Sequence, residues 1–500
     1  MSLVPAAREP LDVQVGDSLE GFVVQEIKPI PDYNVVAYRL VEPRLGTQVL
    51  HFDTEDSNNF IGIGFRTPPS DSTGVAHILE HTALCGSQKY PVRDPFFNML
   101  KRSLSTFMNA FTGSDFTFYP FSTVNASDFK NLLSVYSDAT FFPLLREVDF
   151  RQEGHRWEFA EPLNKDSPLQ IKGVVYNEMK GAMSDPNDLF ATELQMALFP
   201  ATTYGHNSGG DPAAIPDLTH EQLKAFHANL YHPSNGYIFS YGDLPLGDKL
   251  AQLQRDALSH FQPLDVRAHS TIAEQPPFSS PRRLSSLCAI DPLAGPAEKQ
   301  HKFAISWLLP STVSEAAPQA ALQLSFNLAV LSQLLTSGPA SPMHEALLQS
   351  GLGGDYAPGT GYDAGGKQAS MTLGVQGMQA NSAAEVESTI MSTLNQLATA
   401  ASAIPSARVH ALLHQIELSK RHVSGNMGMT LFMATLMPWL HGGNPVQALE
   451  ISDYVQQFRQ SFAEDPSFLP QLIQTHLLDN QSRVHFEMQA SDLYEQQLKD

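Results

Sequence analysis

The stretch Ser72-Thr-Gly-Val-Ala-His-Ile-Leu-Glu-His81 decides how this chain is read. His77, Glu80 and His81 stand in it as H-x-x-E-H. On a helix, positions i and i+4 share a face and i+3 lies beside them. Two imidazoles then converge on one point, as two ligands to a single zinc require. Glu80 reaches the zinc-bound water instead of the ion. The ion lowers the pKa of that water toward neutrality, and a carboxylate can take its proton during attack on a peptide carbonyl. Pro68-Pro69 ends the apolar run Phe60–Phe65, and Asp71, Ser72 and Thr73 are good N-cap types, so a helix starting here is expected. A structural zinc would favour four protein ligands and thiolates, and Cys85 is the only thiol nearby.

A catalytic zinc with two histidines needs a third protein ligand and an open fourth position. The best candidate is Glu178 in Ile171-Lys-Gly-Val-Val-Tyr-Asn-Glu-Met-Lys-Gly181. Val174–Tyr176 reads as the end of a strand, with a helix starting near Asn177, and a carboxylate in a first turn lies well beside the positive end of a helix. By spacing alone, Glu178 is one acid among 52.

Several segments beyond the histidine motif carry a family resemblance. They are His77–Cys85 (HILEHTALC), Gly86–Met99 (GSQKYPVRDPFFNM), Ser103–Thr112 (SLSTFMNAFT), Tyr119–Ser122 (YPFS) and Gly173–Gly181 (GVVYNEMKG). Together they resemble the presequence proteases of the pitrilysin/insulysin superfamily of inverzincins. The likeness runs in order through most of the chain and is densest between residues 60 and 245. It implies one zinc per chain on His77, His81 and Glu178, with Glu80 as general base. The interval of 97 residues from His81 to Glu178 is similar to that branch and longer than in pitrilysin. The resemblance also implies a substrate site. Ser105–Thr112, with Asn109 and Ala110, would be an edge strand that pairs with the peptide backbone, giving affinity with little sequence preference. Leu84, Phe96 and Phe97 would form a hydrophobic wall for the residue after the cut, where the plainer reading is core packing.

Members of that superfamily have about twice this length. Their two similar halves close over the substrate, and the second half supplies an Arg and a Tyr that hold the substrate carbonyl. The present sequence ends at Asp500, and Ala490–Asp500 reads as the start of a helical linker to such a half. The expected function is therefore a zinc metalloendopeptidase degrading short unstructured peptides. The rival reading is a non-catalytic scaffold or partner subunit with the same fold.

Composition narrows the alternatives. Five hundred residues with 42% hydrophobic and 17% charged content suit two to four globular domains. A net charge of −21 argues against nucleic acid and would favour a basic peptide, although solubility explains it as well. Two cysteines, Cys85 and Cys288, make no disulfide framework and suit a reducing compartment. Cys85 reads as a small buried apolar residue. The N-terminus has neither secretory nor transit character, and no apolar run reaches the ~18 residues of a membrane span. The longest attempt, Met427–Leu440, contains Pro438. A bacterial cytosol is expected, with a mitochondrial matrix second.

The pattern of elements predicts an α+β fold of two related α/β sandwich domains of the pitrilysin/insulysin metallopeptidase type (LuxS/MPP-like). The first, 1–263, carries the zinc site. A linker at 264–290 holds Pro276, Pro277 and Pro281 and shows no periodic pattern. The second domain, 291–490, repeats the order strand, long helix, strand, helices, strand without the histidine motif. Among the remaining motifs, His410 and His414 with Glu417 lack an acid between the histidines and read as packing or surface groups. His227 and His232 read as structural. The glycine-rich 351–361 stretch lacks Lys-Ser/Thr and reads as a turn, and Glu153 reads as a surface acid before a second-sphere partner of a ligand histidine.

Overall fold

A computed structural model describes residues 11–400, 404–420 and 425–494. The chain divides into two compact units that interleave in sequence. The first takes the described residues up to Gly181, His206–Ile272 and those within 423–436; the second takes Ala182–Gly205, those within 273–422 and those from Met437 onward. No single cut inside 264–290 therefore separates them. That stretch is also not a bare linker, since it holds a helical turn, Arg267–Ser270, and the strand Arg282–Cys288. The expected linker helix beyond residue 494 lies outside the described residues.

The first unit is built on a nine-stranded sheet. Its strands are β1 (Ser18–Leu19), β2 (Phe22–Ile30), β3 (Val35–Val41), β4 (Gln48–Asp53), β5 (Asn59–Arg66), β6 (Ser105–Met108), β7 (Phe111–Thr112), β8 (Phe116–Thr123) and a late-arriving partner, Gly236–Gly242. Between β8 and that last strand lies a separate hairpin, β9 (Arg156–Phe159) with β10 (Leu169–Lys172), so the last strand is β11. Spatial order is β1-β2-β3-β4-β11-β5-β8-β6, with β7 also on β8. β11 runs parallel to β4 and antiparallel to β5, and every one of its residues is buried. Such a central strand reads as a continuous apolar run (Tyr237, Ile238, Phe239), because both faces are covered. The helices of this unit are α1 (Val75–Ala83), α2 (Pro95–Arg102), α3 (Ala126–Phe141), α4 (Glu147–Glu153) and α5 (Val174–Ala182). After α6 (Pro186–Leu198), which belongs to the second unit, come α7 (His220–Leu230) and α8 (Leu246–Asp256).

The second unit has a six-stranded sheet of β12 (Arg282–Cys288), β13 (His301–Ser311), β14 (Asp355–Tyr356), β15 (Gly361–Asp363), β16 (Gln368–Met378) and β17 (Arg483–Ala490). Its order is β12-β17-β13-β16-β14, with β15 also on β16. β17 runs parallel to β12 and antiparallel to β13, and β13 runs antiparallel to β16. This repeats the first sheet's pattern of β4, β11, β5 and β8, so the two units share one α+β topology despite their different sequences. The sheet carries a core of Ile305, Trp307, Leu331, Leu373, Ile390 and Phe458. Trp307 buries its indole and donates Nε1–H to Leu477 O at 2.8 Å, which removes the cost of an unpaired donor. The helix Pro318–Thr336 follows β13 as α1 follows β5, without the histidine motif.

Met427–Leu440 is a helix that places Phe432 against the rings of Phe60, Phe118 and Phe239 at 5.7, 4.9 and 5.3 Å. No helix among the described residues is long and apolar enough to cross a membrane.

Candidate metal centre and substrate edge

α1 buries Val75, Ala76, Ile78, Leu79, Thr82 and Ala83, and leaves His77, Glu80 and His81 on its remaining stripe. The helix packs on α4 and α7. Its start differs from expectation. Gly74, in the left-handed region at φ 71°, holds the N-cap position with no side-chain cap, while Asp71 instead accepts from the Thr73 amide and hydroxyl at 2.9 and 2.6 Å. The lead-in has a second role. Ser72 accepts at its hydroxyl from Asn207 N and at its carbonyl from Asp211 N, which anchors the 207–211 loop beside α1.

That loop serves the site directly. His77 Nδ1–H donates to Gly209 O at 2.9 Å. His81 Nδ1–H donates to Glu153 Oε2 at 3.2 Å, and Glu153, at the end of α4, is only 8% exposed. A carbonyl and a carboxylate can only accept, so each Nδ1 carries a proton, and in the neutral form of each ring the lone pair lies on Nε2. Both Nε2 atoms stand 3.9 Å from Glu178 Oε2. One ligand atom from each of His77, His81 and Glu178 lies within 4.8 Å of the others. An ion with bonds of about 2.0–2.1 Å in tetrahedral geometry puts its ligands roughly 3.4 Å apart. The triangle thus needs only a small side-chain contraction, and Glu178, whose side chain is 56% exposed, has room to make it. Two imidazoles, one carboxylate and an open side form a donor set that fits zinc.

Glu178 arrives by a close backbone crossing. A Cβ on Gly173 would lie 1.8 Å from Gly154 O, so only glycine lets the start of α5 pass the end of α4. This crossing brings Glu153 and Glu178 to the two nitrogens of the same ring, Nδ1 and Nε2 of His81. Val174–Tyr176, expected as strand, is the first turn of α5, with Asn177 N bonded to Gly173 O at 3.0 Å. Glu178 consequently sits in the second turn of its helix.

Electrostatics favour a cation. Burial works against charge on His81. The hydrogen bond to Glu153 and the negative charges of Glu80, Glu153 and Glu178 outweigh it and raise the imidazole's pKa. Burial likewise opposes charge on Glu153, but the bonds from His81 and Gln152 hold its carboxyl below the usual range. Glu153 is therefore not the surface acid the sequence suggested. Burial pushes the Cys85 thiol up, and its Sγ–H points to His81 O at 3.4 Å, consistent with an inert packing role.

Glu80 is half-buried, and Thr112 Oγ1–H donates to its Oε2 at 2.6 Å. Thr112 ends β7 and is the last residue of the stretch expected to pair with peptide. β6 is the terminal strand of the sheet, bonded only to β8 on its inner side. The expected continuous strand Ser105–Thr112 is interrupted at Asn109 and Ala110. Asn109 is exposed, its amide donates to Pro120 O at 3.1 Å, and its carbonyl accepts from Tyr136 OH at 3.5 Å. Leu84 is half-buried on the turn of α1 that follows His81. Phe96 is half-buried and Phe97 is 60% exposed on α2, their rings 5.4 Å apart, and Phe96 also meets Tyr136 at 6.2 Å. Phe97 is therefore not core packing.

Three other histidines singled out in the sequence lie outside this cluster. Glu417 pairs with both guanidinium nitrogens of Arg459 at 2.8 Å, leaving His414 at 3.8 Å. His232 caps the turn at Ser234 N, and His227 Nε2–H donates to Thr140 O. Sequence reasoning missed Gly209 and the Thr112–Glu80 bond entirely, since neither partner is marked by local spacing.

Residues 58–162 match the family described as Insulinase (Peptidase family M16), and residues 217–415 match the Peptidase M16 inactive domain. The chain belongs to the insulinase family of peptidases. It is 45% identical over 498 residues to the mitochondrial presequence protease of Xenopus laevis, covering 99% of this chain and 47% of that one. The mitochondrial presequence proteases of Mus musculus (44% identical; 98% and 46% covered) and Schizosaccharomyces pombe (42%; 98% and 48%) are similar. The chain thus spans about half the length of these curated relatives. Among solved structures, a protease from Helicobacter pylori superposes with a TM-score of 0.65 at 16% identity, covering 89% of this chain and 98% of that one. A putative M16-like peptidase from Alicyclobacillus acidocaldarius gives 0.60 at 15% identity, covering 95% and 100%. These two show likeness of fold.

Proposed function

We propose that this chain is the metal-binding half of a zinc endopeptidase that cleaves short unstructured peptides. The observation that carries the reading is the convergence of the two Nε2 atoms and the Glu178 carboxylate on one point, with Glu80 on the same stripe of α1 and bonded to none of the three. Zinc held there would polarise a peptide carbonyl and acidify a water molecule. His77, His81 and Glu178 would hold the ion, and Gly209 O and Glu153 orient the two rings through their Nδ1–H groups. Glu80 accepts a proton from the attacking water and can later return it to the leaving amine. The open side of β6 offers amides and carbonyls to an extended peptide, and Leu84, Phe96 and Phe97 supply apolar surface for a flanking side chain.

Basic unfolded peptides suit the net charge of −21 and the three carboxylates around His81. The mitochondrial names of the relatives support the matrix, the second of the two expected compartments. Their greater length supports a further half, on the same or a separate chain, that completes the substrate site. On this reading, residues 1–500 alone bind zinc but cleave poorly, and adding the second half restores turnover.

The test is Glu80→Gln in the completed, zinc-loaded enzyme. Zinc stays bound at one per chain, and cleavage of a fluorogenic peptide falls by at least about 10²-fold. Wild-type turnover by this variant would end the proposal. A chain that holds no zinc and cleaves nothing in either form would point to the scaffold reading.

A further inference from the structure

We infer that Thr112 is the positioning residue that aims the Glu80 carboxylate, and that it does so from the strand offered to the peptide. The inference rests on the peptidase reading above. Thr112 Oγ1 lies 2.6 Å from Glu80 Oε2, within the range of a charge-assisted O–H···O⁻ bond. Among the described residues this is the one hydrogen bond the Glu80 side chain makes, and the one the Thr112 hydroxyl makes.

A glutamate has three side-chain torsions, and a half-buried carboxylate with no partner would sample several rotamers. A general base has to keep an oxygen within about 2.6–3.2 Å of the group it deprotonates. With Oε2 held by Thr112, Oε1 is the oxygen that carries no hydrogen bond. The bond therefore favours one rotamer of the base.

The position of Thr112 gives the bond its second consequence. Thr112 pairs with Thr117 across β7 and β8, and the next turn closes with Gly113 N on Phe116 O at 2.8 Å. Thr117 is held in turn by a buried hydroxyl bond to Thr67 at 2.8 Å. The inner side of the edge is thus tied to the sheet, and β7 touches α1. A peptide added along the outer side of this edge takes its register from the same few residues that hold Glu80. The reacting carbonyl and the base then share one backbone reference, and a slip of the strand displaces both together. Misplacement of a reacting group by about 1 Å can cost on the order of 10²-fold in rate.

The experiment compares Thr112→Val, which keeps shape and removes the donor, with Thr112→Ser, which keeps the donor, in the zinc-loaded enzyme completed by its second half. Thr112→Val is expected to lower kcat about tenfold or more with KM within about twofold, and Thr112→Ser to return kcat to within about threefold. Zinc content and Tm stay at wild-type values in both. A readout independent of turnover is the crystal structure of each metal-loaded variant: Glu80 leaves its rotamer in Thr112→Val and keeps it in Thr112→Ser. The inference is overturned by wild-type kcat in Thr112→Val, by a loss that Thr112→Ser does not rescue, by loss of zinc, or by an unmoved Glu80 in the Thr112→Val crystal. Glu80→Gln measured alongside separates the two levels, because wild-type turnover there refutes the peptidase reading itself, whatever Thr112 does.

Discussion

Glu153, at the buried end of α4, accepts the Nδ1 proton of His81 across 3.2 Å, so the ring that faces the metal position is set by a residue 72 positions later in the chain. Outer partners of this kind commonly contribute a factor of about 10–100 in metal affinity. Glu153→Ala should weaken zinc binding by that range, and Glu153→Gln by less, because the amide oxygen can still accept. Competition against a chromophoric chelator measures both. An unchanged affinity in Glu153→Ala would show that the bond does not tune the ligand.

Gly74 offers a different test of the same site. A Cβ there would meet Gly209 O and Gly210 Cα at 2.8 Å, and the backbone is in the left-handed region. Gly74→Ala should destabilise the protein by about 1–3 kcal/mol in denaturant unfolding. It should also weaken zinc binding, because the displaced carbonyl is the one that receives the His77 proton. A destabilised variant with normal zinc affinity would separate the loop from the site.

Burial pushes His227 down to about 4, against the weaker opposing effect of its bond to Thr140 O. The folded-state pKa is below the unfolded one of about 6.5. Between pH 6.5 and 4 the unfolded chain takes up a proton that the folded chain refuses, so stability falls as pH falls through that window and is level with respect to this group above it. For a partly exposed ring the effect is roughly 1–3 kcal/mol. His227→Gln should flatten this part of the stability–pH curve measured by urea unfolding. An unchanged slope would assign the acid sensitivity to other groups.

The open edge of β6 leads to a prediction about substrates. If the peptide adds there as a strand, its main chain contributes most of the binding. N-methylation of one pairing amide should raise KM about three- to tenfold, the worth of one hydrogen bond. Exchanging an outward side chain at the same position should change KM less. A peptide indifferent to backbone methylation throughout would exclude strand addition.

Much of this was legible in the sequence, for local reasons. His77, Glu80 and His81 sit within five residues, and helical periodicity alone brings them together. The buried runs of β5 and β11 announce central strands through composition. Glu178 was marked weakly by its place near a helix start and chiefly by the resemblance of its segment, since nothing local links it to a histidine 97 residues away. Val174–Tyr176 misled because Val and Tyr favour strands, whereas the helix is set by Gly173 and its bond to Asn177. The assignment of α6 to the second unit was hidden as well. That assignment depends on packing against β13 and β17, strands more than a hundred residues further on. Thr112, Gly209 and Glu153 act only through partners brought close by folding.

The hairpin of β9 and β10 leaves the site at Gly154 and returns at Gly173, where the two backbones touch. Its tip, 160–168, is largely exposed, with Leu163 at 99%. Residues added or removed at that tip would alter the count between His81 and Glu178 without moving either side chain. The number of residues between the two ligands is then free of the geometry they form. The pair of touching glycines clamps the base of any such insertion.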